Sequence, residues 1–154
     1  MATNNNNDDN NNNNNNNNKN NRILLVDDEI DITIVYTLGL QDNGFKVDAF
    51  NDPLQALSDF KCGSYDFVLI DYKMPKMNGF ELYQEIRKVD TRVKICFITA
   101  FDINHGEIKK GLLNDLNTLH QDKEERPDAE CFIQKPIDID ELVKRIKVEL
   151  NSRY

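Results

Sequence analysis

Five residues of the types that handle phosphoryl groups and hard cations stand at intervals along the chain. They are Asp27 with Asp28, Asp71, Thr99 and Lys135. Each closes or follows a short, mostly apolar run: residues 23–26, 67–70, 93–98 and 131–134 respectively. Three carboxylates gathered in one place repel one another unless a cation sits among them. An oxygen donor set with open coordination favours a hard ion, Mg²⁺ first, which keeps waters and reaches a substrate phosphate. A Lys and a Thr hydroxyl add the groups that hold phosphoryl oxygens. A carboxylate nucleophile, a divalent ion and a Lys make a site for aspartyl-phosphate formation. Singly, each residue has an ordinary explanation, since strand ends are polar and Asp and Thr cap helices. Their joint placement at strand ends does not.

The elements that must position them read as alternating strands and helices. Ile23-Leu24-Leu25-Val26 is continuously apolar, as a strand covered on both faces of a parallel sheet would be. Ile30, Ile34, Val35 and Leu38 recur at helical spacing, and Gly44 offers a left-handed C-cap. Residues 46–50 form a second strand. Asp52-Pro53 reads as an N-cap followed by Pro at the first helical position, opening a helix to about residue 61. A third strand ends on Asp71, and a helix carrying Phe80, Leu82, Tyr83 and Ile86 follows. The fourth strand ends on Thr99, and the fifth leads to Lys135-Pro136. Asp138 and Glu141 form a capping box for a last helix that buries Leu142, Ile146 and Leu150. Such repetition implies a doubly wound α/β domain with right-handed crossovers, whose chemistry gathers beyond the carboxyl ends of the strands.

Composition bounds the rest. The chain has 154 residues and a net charge of −8, which argues against direct nucleic-acid binding. Residues 1–21 are almost all Asn, interrupted chiefly by Asp8, Asp9 and Lys19, and such a segment has nothing to bury and is expected to be disordered. No apolar run is long enough for a membrane span, and the start of the chain lacks signal-peptide regions, so a cytoplasmic location is expected. Ala2 excludes myristoylation. Cys62, Cys96 and Cys131 lack metal-ligand spacing and are expected as reduced thiols, buried or partly buried. The stretch from Thr99 to Lys135 is long for one crossover. Ile108, Leu112, Leu116 and Leu119 mark an amphipathic helix over about 104–120, followed by a polar loop over 121–130. His105 and His120 in this stretch read as surface residues.

Asp27-Asp28-Glu29, the run from Asp71 to Gly79 (DYKMPKMNG), Thr99-Ala100 and Lys135-Pro136 together closely resemble the receiver family of two-component response regulators. The likeness extends over about residues 22–150 and implies a flavodoxin-like α/β fold. That fold is a five-stranded parallel sheet in order 2-1-3-4-5, with helices on both faces. Domain bounds are then a tail at 1–21 and a receiver at 22–154, with an extended crossover at about 102–130. The resemblance makes Asp71 the phosphoacceptor. Asp28 and Asp71 would hold Mg²⁺ directly, Asp27 through water, and the Lys73 backbone carbonyl would complete the protein ligands. Lys135 would pair with the phosphoryl group, Thr99 would hydrogen-bond it, and the Lys135–Pro136 bond would be cis. A switch would couple Thr99 to Phe132, while Lys73 and Phe101 would tune the lifetime of the phosphorylated form. Phosphorylation would come from a sensor histidine kinase or a histidine phosphotransfer protein, and the downstream protein partner is unknown.

Three other readings compete. A haloacid-dehalogenase-type phosphatase needs Asp-x-Asp, but Glu29 stands two after Asp27 and Lys73 two after Asp71. A degenerate receiver, acting as a phosphate-independent binding module, would not need the full set of five residues. A transcription factor would need a helix-turn-helix after the last helix, and the sequence ends at Tyr154. The expectation is a stand-alone receiver, not an enzyme, that acts through protein partners.

Overall fold

The computed structural model describes residues 20–100 and 131–152. The elements run β1 (Arg22–Val26), α1 (Ile30–Asp42), β2 (Lys46–Phe50), α2 (Pro53–Asp59), β3 (Phe67–Asp71), α3 (Gly79–Val89), β4 (Lys94–Thr99), β5 (Cys131–Gln134) and α4 (Ile139–Asn151). All strand pairs are parallel, and the sheet order is β2-β1-β3-β4-β5.

Side-chain alternation along the strands splits the core in two. Leu24, Val26, Val68, Ile70, Ile95 and Phe97 face α2 and α3. Ile23, Leu25, Phe67, Leu69, Cys96 and Ile98 face the other way, against Tyr36 and Leu40 of α1 and Leu142, Val143 and Ile146 of α4. The central strands are therefore apolar on both faces, as their sequence requires, and β3 is buried along its whole length.

Helix ends follow their capping residues. Asp52 accepts from Leu54 N–H with Pro53 at the first turn, and Asp138 accepts from Glu141 N–H. Asn78 and Glu81 form a reciprocal capping box at the start of α3. Gly44 has φ +86°, consistent with the left-handed turn after α1. At the other pole of the sheet, buried Asp90 accepts from the N–H groups of Gly63, Arg92 and Val93. Burial alone would raise this carboxyl, but those hydrogen bonds prevail and hold it below the usual Asp range.

The helical spacing in α1 holds, and one expectation, on the cysteines, is corrected. Ile30, Ile34, Val35 and Leu38 do sit on a helix, but they point outward and are exposed by 52–61%. The buried face of α1 is instead Thr33, Tyr36 and Leu40, because α1 is apolar on two sides and only one can meet the sheet. The three cysteines are not all reduced thiols. Cys96 and Cys131 stand opposite each other on adjacent strands with Cα atoms 4.4 Å apart, and they are joined as a disulfide. Cys62 is a free thiol and exposed rather than buried. The expected helix over 104–120, the loop after it, His105, His120 and nearly all of the Asn-rich tail lie outside the described residues. No described helix is long and apolar enough to cross a membrane.

Candidate functional site

The order β2-β1-β3 places a topological switch between β1 and β3, where their outgoing connections run to opposite faces. Asp27 follows β1 immediately, Asp71 is the last residue of β3, Thr99 ends β4, and Lys135 follows β5. The parallel register carries them to one edge. Carboxylate oxygens of Asp27, Asp28 and Asp71 all lie within 4.8 Å of one another. Asp27 and Asp71 are buried and Asp28 is half-buried.

Lys135 crosses above them. Its Nζ donates to Asp27 Oδ2 at 2.6 Å and to Asp71 Oδ1 at 3.1 Å, with Glu29 Oε1 at 3.5 Å. The lysine is fixed from behind, since its N–H donates to the Thr99 carbonyl at 2.7 Å. The Lys135–Pro136 bond is cis, as the resemblance implied. Thr99 itself is buried.

One ammonium faces three carboxylates, and the electrostatics show the imbalance. Desolvation pushes the Asp71 carboxyl up to about 6. Lys135 opposes that rise, while Asp27 and Asp28 add to it. Burial works against the Lys135 ammonium, but hydrogen bonds and charge from Asp27 and Asp71 prevail and hold it above its ordinary value. The donor set is all oxygen, without His or Cys, and its surplus negative charge suits a hard divalent cation.

Several residues with no assigned role brace this edge. Asn51, the residue after β2, donates from Nδ2 to the Asp27 carbonyl at 2.7 Å and to Thr33 Oγ1 at 3.0 Å. Glu29 N–H donates to Asp27 Oδ1 at 2.9 Å. Gly79 packs so tightly that a Cβ there would overlap the Asp71 carbonyl oxygen and come within 2.9 Å of Tyr72 Cα. Lys76 has φ +71°, and its Nζ reaches Asp52 Oδ2 at 2.5 Å, tying the loop after β3 to the start of α2. The signal for Asn51 was positional: β2 ends at the same sheet edge as β1 and β3. Lys73 is exposed. Phe132 is half-buried and stacks on Phe97, with centroids 5.3 Å apart. Phe101 lies outside the described residues.

The model of the response regulator receiver domain matches residues 23–147, and the chain belongs to that family. Its members are the receiving modules of phosphorelay signal transduction, served by histidine kinases or phosphotransfer proteins. The chain is 37% identical over 126 residues to a transcriptional regulatory protein, the CpxR homolog of Haemophilus influenzae. That match covers 81% of this chain and 48% of the relative. The chain thus spans about half the length of the curated relatives it matches. Among solved structures it is similar to the response regulator TrrA of Thermotoga maritima, determined in complex with Mg²⁺–BeF. Identity is 29% and the TM-score 0.63, with 83% of this chain and 97% of that one covered. A receiver domain protein of Clostridium thermocellum gives 26% identity and a TM-score of 0.67, covering 84% and 94%.

Proposed function

We propose that Asp71 is the phosphoacceptor and that phosphorylation there changes which protein the domain binds. The observation that carries this reading is Lys135 Nζ bridging Asp27 and Asp71, with Asp28 inside the same carboxylate cluster. An Asp71 oxygen attacks phosphorus. The new O–P bond forms as the P–N bond of a donor phosphohistidine breaks, and the departing imidazole keeps the electron pair and takes a proton. Lys135 is already beside Asp71 and faces the phosphoryl oxygens once they arrive. Mg²⁺, when bound, neutralises charge shared by the phosphoryl oxygens and the carboxylates. Asp27, Asp28 and Asp71, with the Lys73 carbonyl, would hold the ion. The domain is an acceptor that catalyses its own phosphorylation, not an enzyme with a released product.

The donor must cover this edge. Immediately after Glu29, α1 presents exposed Ile30, Ile34, Val35 and Leu38, an apolar strip beside the pocket suited to a donor helix. Inside the domain, Thr99 moves toward the new dianion and Phe132 turns into the space it leaves, carrying the change to the β4–β5 edge. Lys73 and Phe101 obstruct the attacking water and lengthen the phosphorylated state. The domain bounds expected above, a tail at 1–21 and a receiver from 22, and a cytoplasmic setting fit this role.

The test is acetyl phosphate with Mg²⁺, followed by borohydride reduction and peptide mapping. The label is expected on the peptide containing Asp71, and its appearance on another carboxylate refutes the assignment.

A further inference from the structure

Cys96 and Cys131 lie on the face of β4 and β5 opposite Phe97 and Phe132. We propose that they form a redox-responsive modification site. Dithiol and disulfide interconvert with a small thiol–disulfide couple, and the disulfide restrains the β4–β5 edge that answers phosphorylation. The restraint rests on the receiver reading above; the thiol chemistry does not.

Placement makes the pair reactive with itself. Cys96 and Cys131 are register partners, so their side chains meet with no rearrangement of either backbone. Their sulfurs are not equivalent. Cys96 is fully buried, whereas Cys131 is 8% exposed and Arg145 of α4 donates from Nη2 to its Sγ at 3.6 Å. Cys131, the less buried of the two and the one that a guanidinium faces, is the first nucleophile. Its thiolate attacks one sulfur of a small disulfide, and one thiolate leaves and takes a proton. Cys96, having lost its proton, then attacks Cys131 Sγ and expels the second thiolate. Two protein thiols are oxidised, and one small disulfide is reduced to two thiols. Persistent disulfides are rare in reducing compartments, where a thiol pair of this kind is usually redox-sensing.

Placement also gives the bond a consequence. β5 has four residues, the fewest of the described strands, and as an edge strand pairs only with β4, so in the dithiol form it is lightly held. Cys131 is its first residue and precedes Phe132, while Cys96 lies three before Thr99. The bond joins covalently the two strands that carry Thr99 and Phe132, the residues of the proposed switch. Arg145 also donates to the Phe132 carbonyl at 3.5 Å, so the same side chain touches both the thiol and the switch residue.

The experiment uses the full chain with Cys62→Ser, which removes the exposed thiol. Samples equilibrated at stepped glutathione ratios are alkylated in denaturant and weighed intact. Two thiols are expected under reducing conditions and none under oxidising ones, lost together. A pair that stays reduced throughout, or a disulfide that resists excess dithiothreitol in the folded protein, overturns the proposal. Amide exchange of residues 131–134 is then compared with and without beryllium fluoride and Mg²⁺ in both redox forms. The change is expected in the dithiol form and at least threefold smaller in the disulfide. Equal changes overturn the restraint. Absence of change in either form overturns the Thr99–Phe132 switch and the restraint with it, leaving the thiol titration to decide the chemistry alone. Cys131→Ala is expected to show the dithiol response at every glutathione ratio, and a redox-dependent response in that variant overturns the pair.

Discussion

Asp71 is held between opposing influences, with burial and two carboxylates against its charge and Lys135 in favour. The net effect is a carboxyl titrating at about 6 instead of 3.8. A raised folded-state value means that stabilisation is fully present below about 3.8 and lost as pH rises through about 6. In metal-free protein, Asp71→Asn removes the disfavoured charge. It is expected to raise stability by about 1 kcal/mol above pH 6, a figure discounted for solvent screening. The gain should vanish toward pH 4. Thermal melts in EDTA at both ends of that range check it, and a variant less stable than wild type at pH 8 contradicts it. Gly79 acts on the same residue by sterics. A Cβ there displaces the Asp71 backbone, so Gly79→Ala is expected to cost about 1–3 kcal/mol. It should also slow acetyl phosphate labelling by more than it lowers the fraction folded. Labelling at the wild-type rate in the folded variant refutes this positioning role.

At the scale of elements, the strands were legible from apolar runs of only four to six residues, ending on Asp71, Thr99 and Gln134. Such runs are too short for buried helices and suit a sheet covered on both faces. Caps at Asp52 and Asp138 were legible for the same local reason. The orientation of α1 was not, since apolar residues occupy two of its sides and periodicity cannot say which side meets the sheet. The disulfide was equally hidden, because pairing Cys96 with Cys131 depends on strand register and not on spacing along the chain. The outward strip on α1 yields its own prediction. Leu38→Glu places a charge in the donor footprint. It is expected to lower transfer from a phosphorylated histidine phosphotransfer protein about tenfold relative to acetyl phosphate. Equal losses with both donors would remove α1 from the interface. Asp90 gives a second prediction, at the far pole of the sheet. Its depressed carboxyl contributes stability that is present above the ordinary Asp value and lost as pH falls through the folded-state value. Asp90→Asn is therefore expected to cost about 1–2 kcal/mol near neutrality, with the deficit shrinking in melts below about pH 4. A constant deficit across that range contradicts it.

For the whole molecule, the three carboxylates at one sheet edge make stability a readout of cation binding at the proposed Mg²⁺ site. At a hundredfold excess over Kd, Mg²⁺ is expected to stabilise the chain by about 2.7 kcal/mol. That gain should be largely lost in Asp28→Asn, as read by melts with and without the ion. The same edge joins the parts of the account: β1 and β3 bring the carboxylates and β5 leads to Lys135, while α1 as donor surface and β4 with β5 as carriers of the response are the proposed parts. Everything depends on Asp71 accepting the phosphoryl group. The most direct measurement is the intact mass of wild type and Asp71→Asn after acetyl phosphate and Mg²⁺. One added phosphoryl group on the wild type and none on the variant is expected, whereas a gain in both, or in neither, contradicts the account.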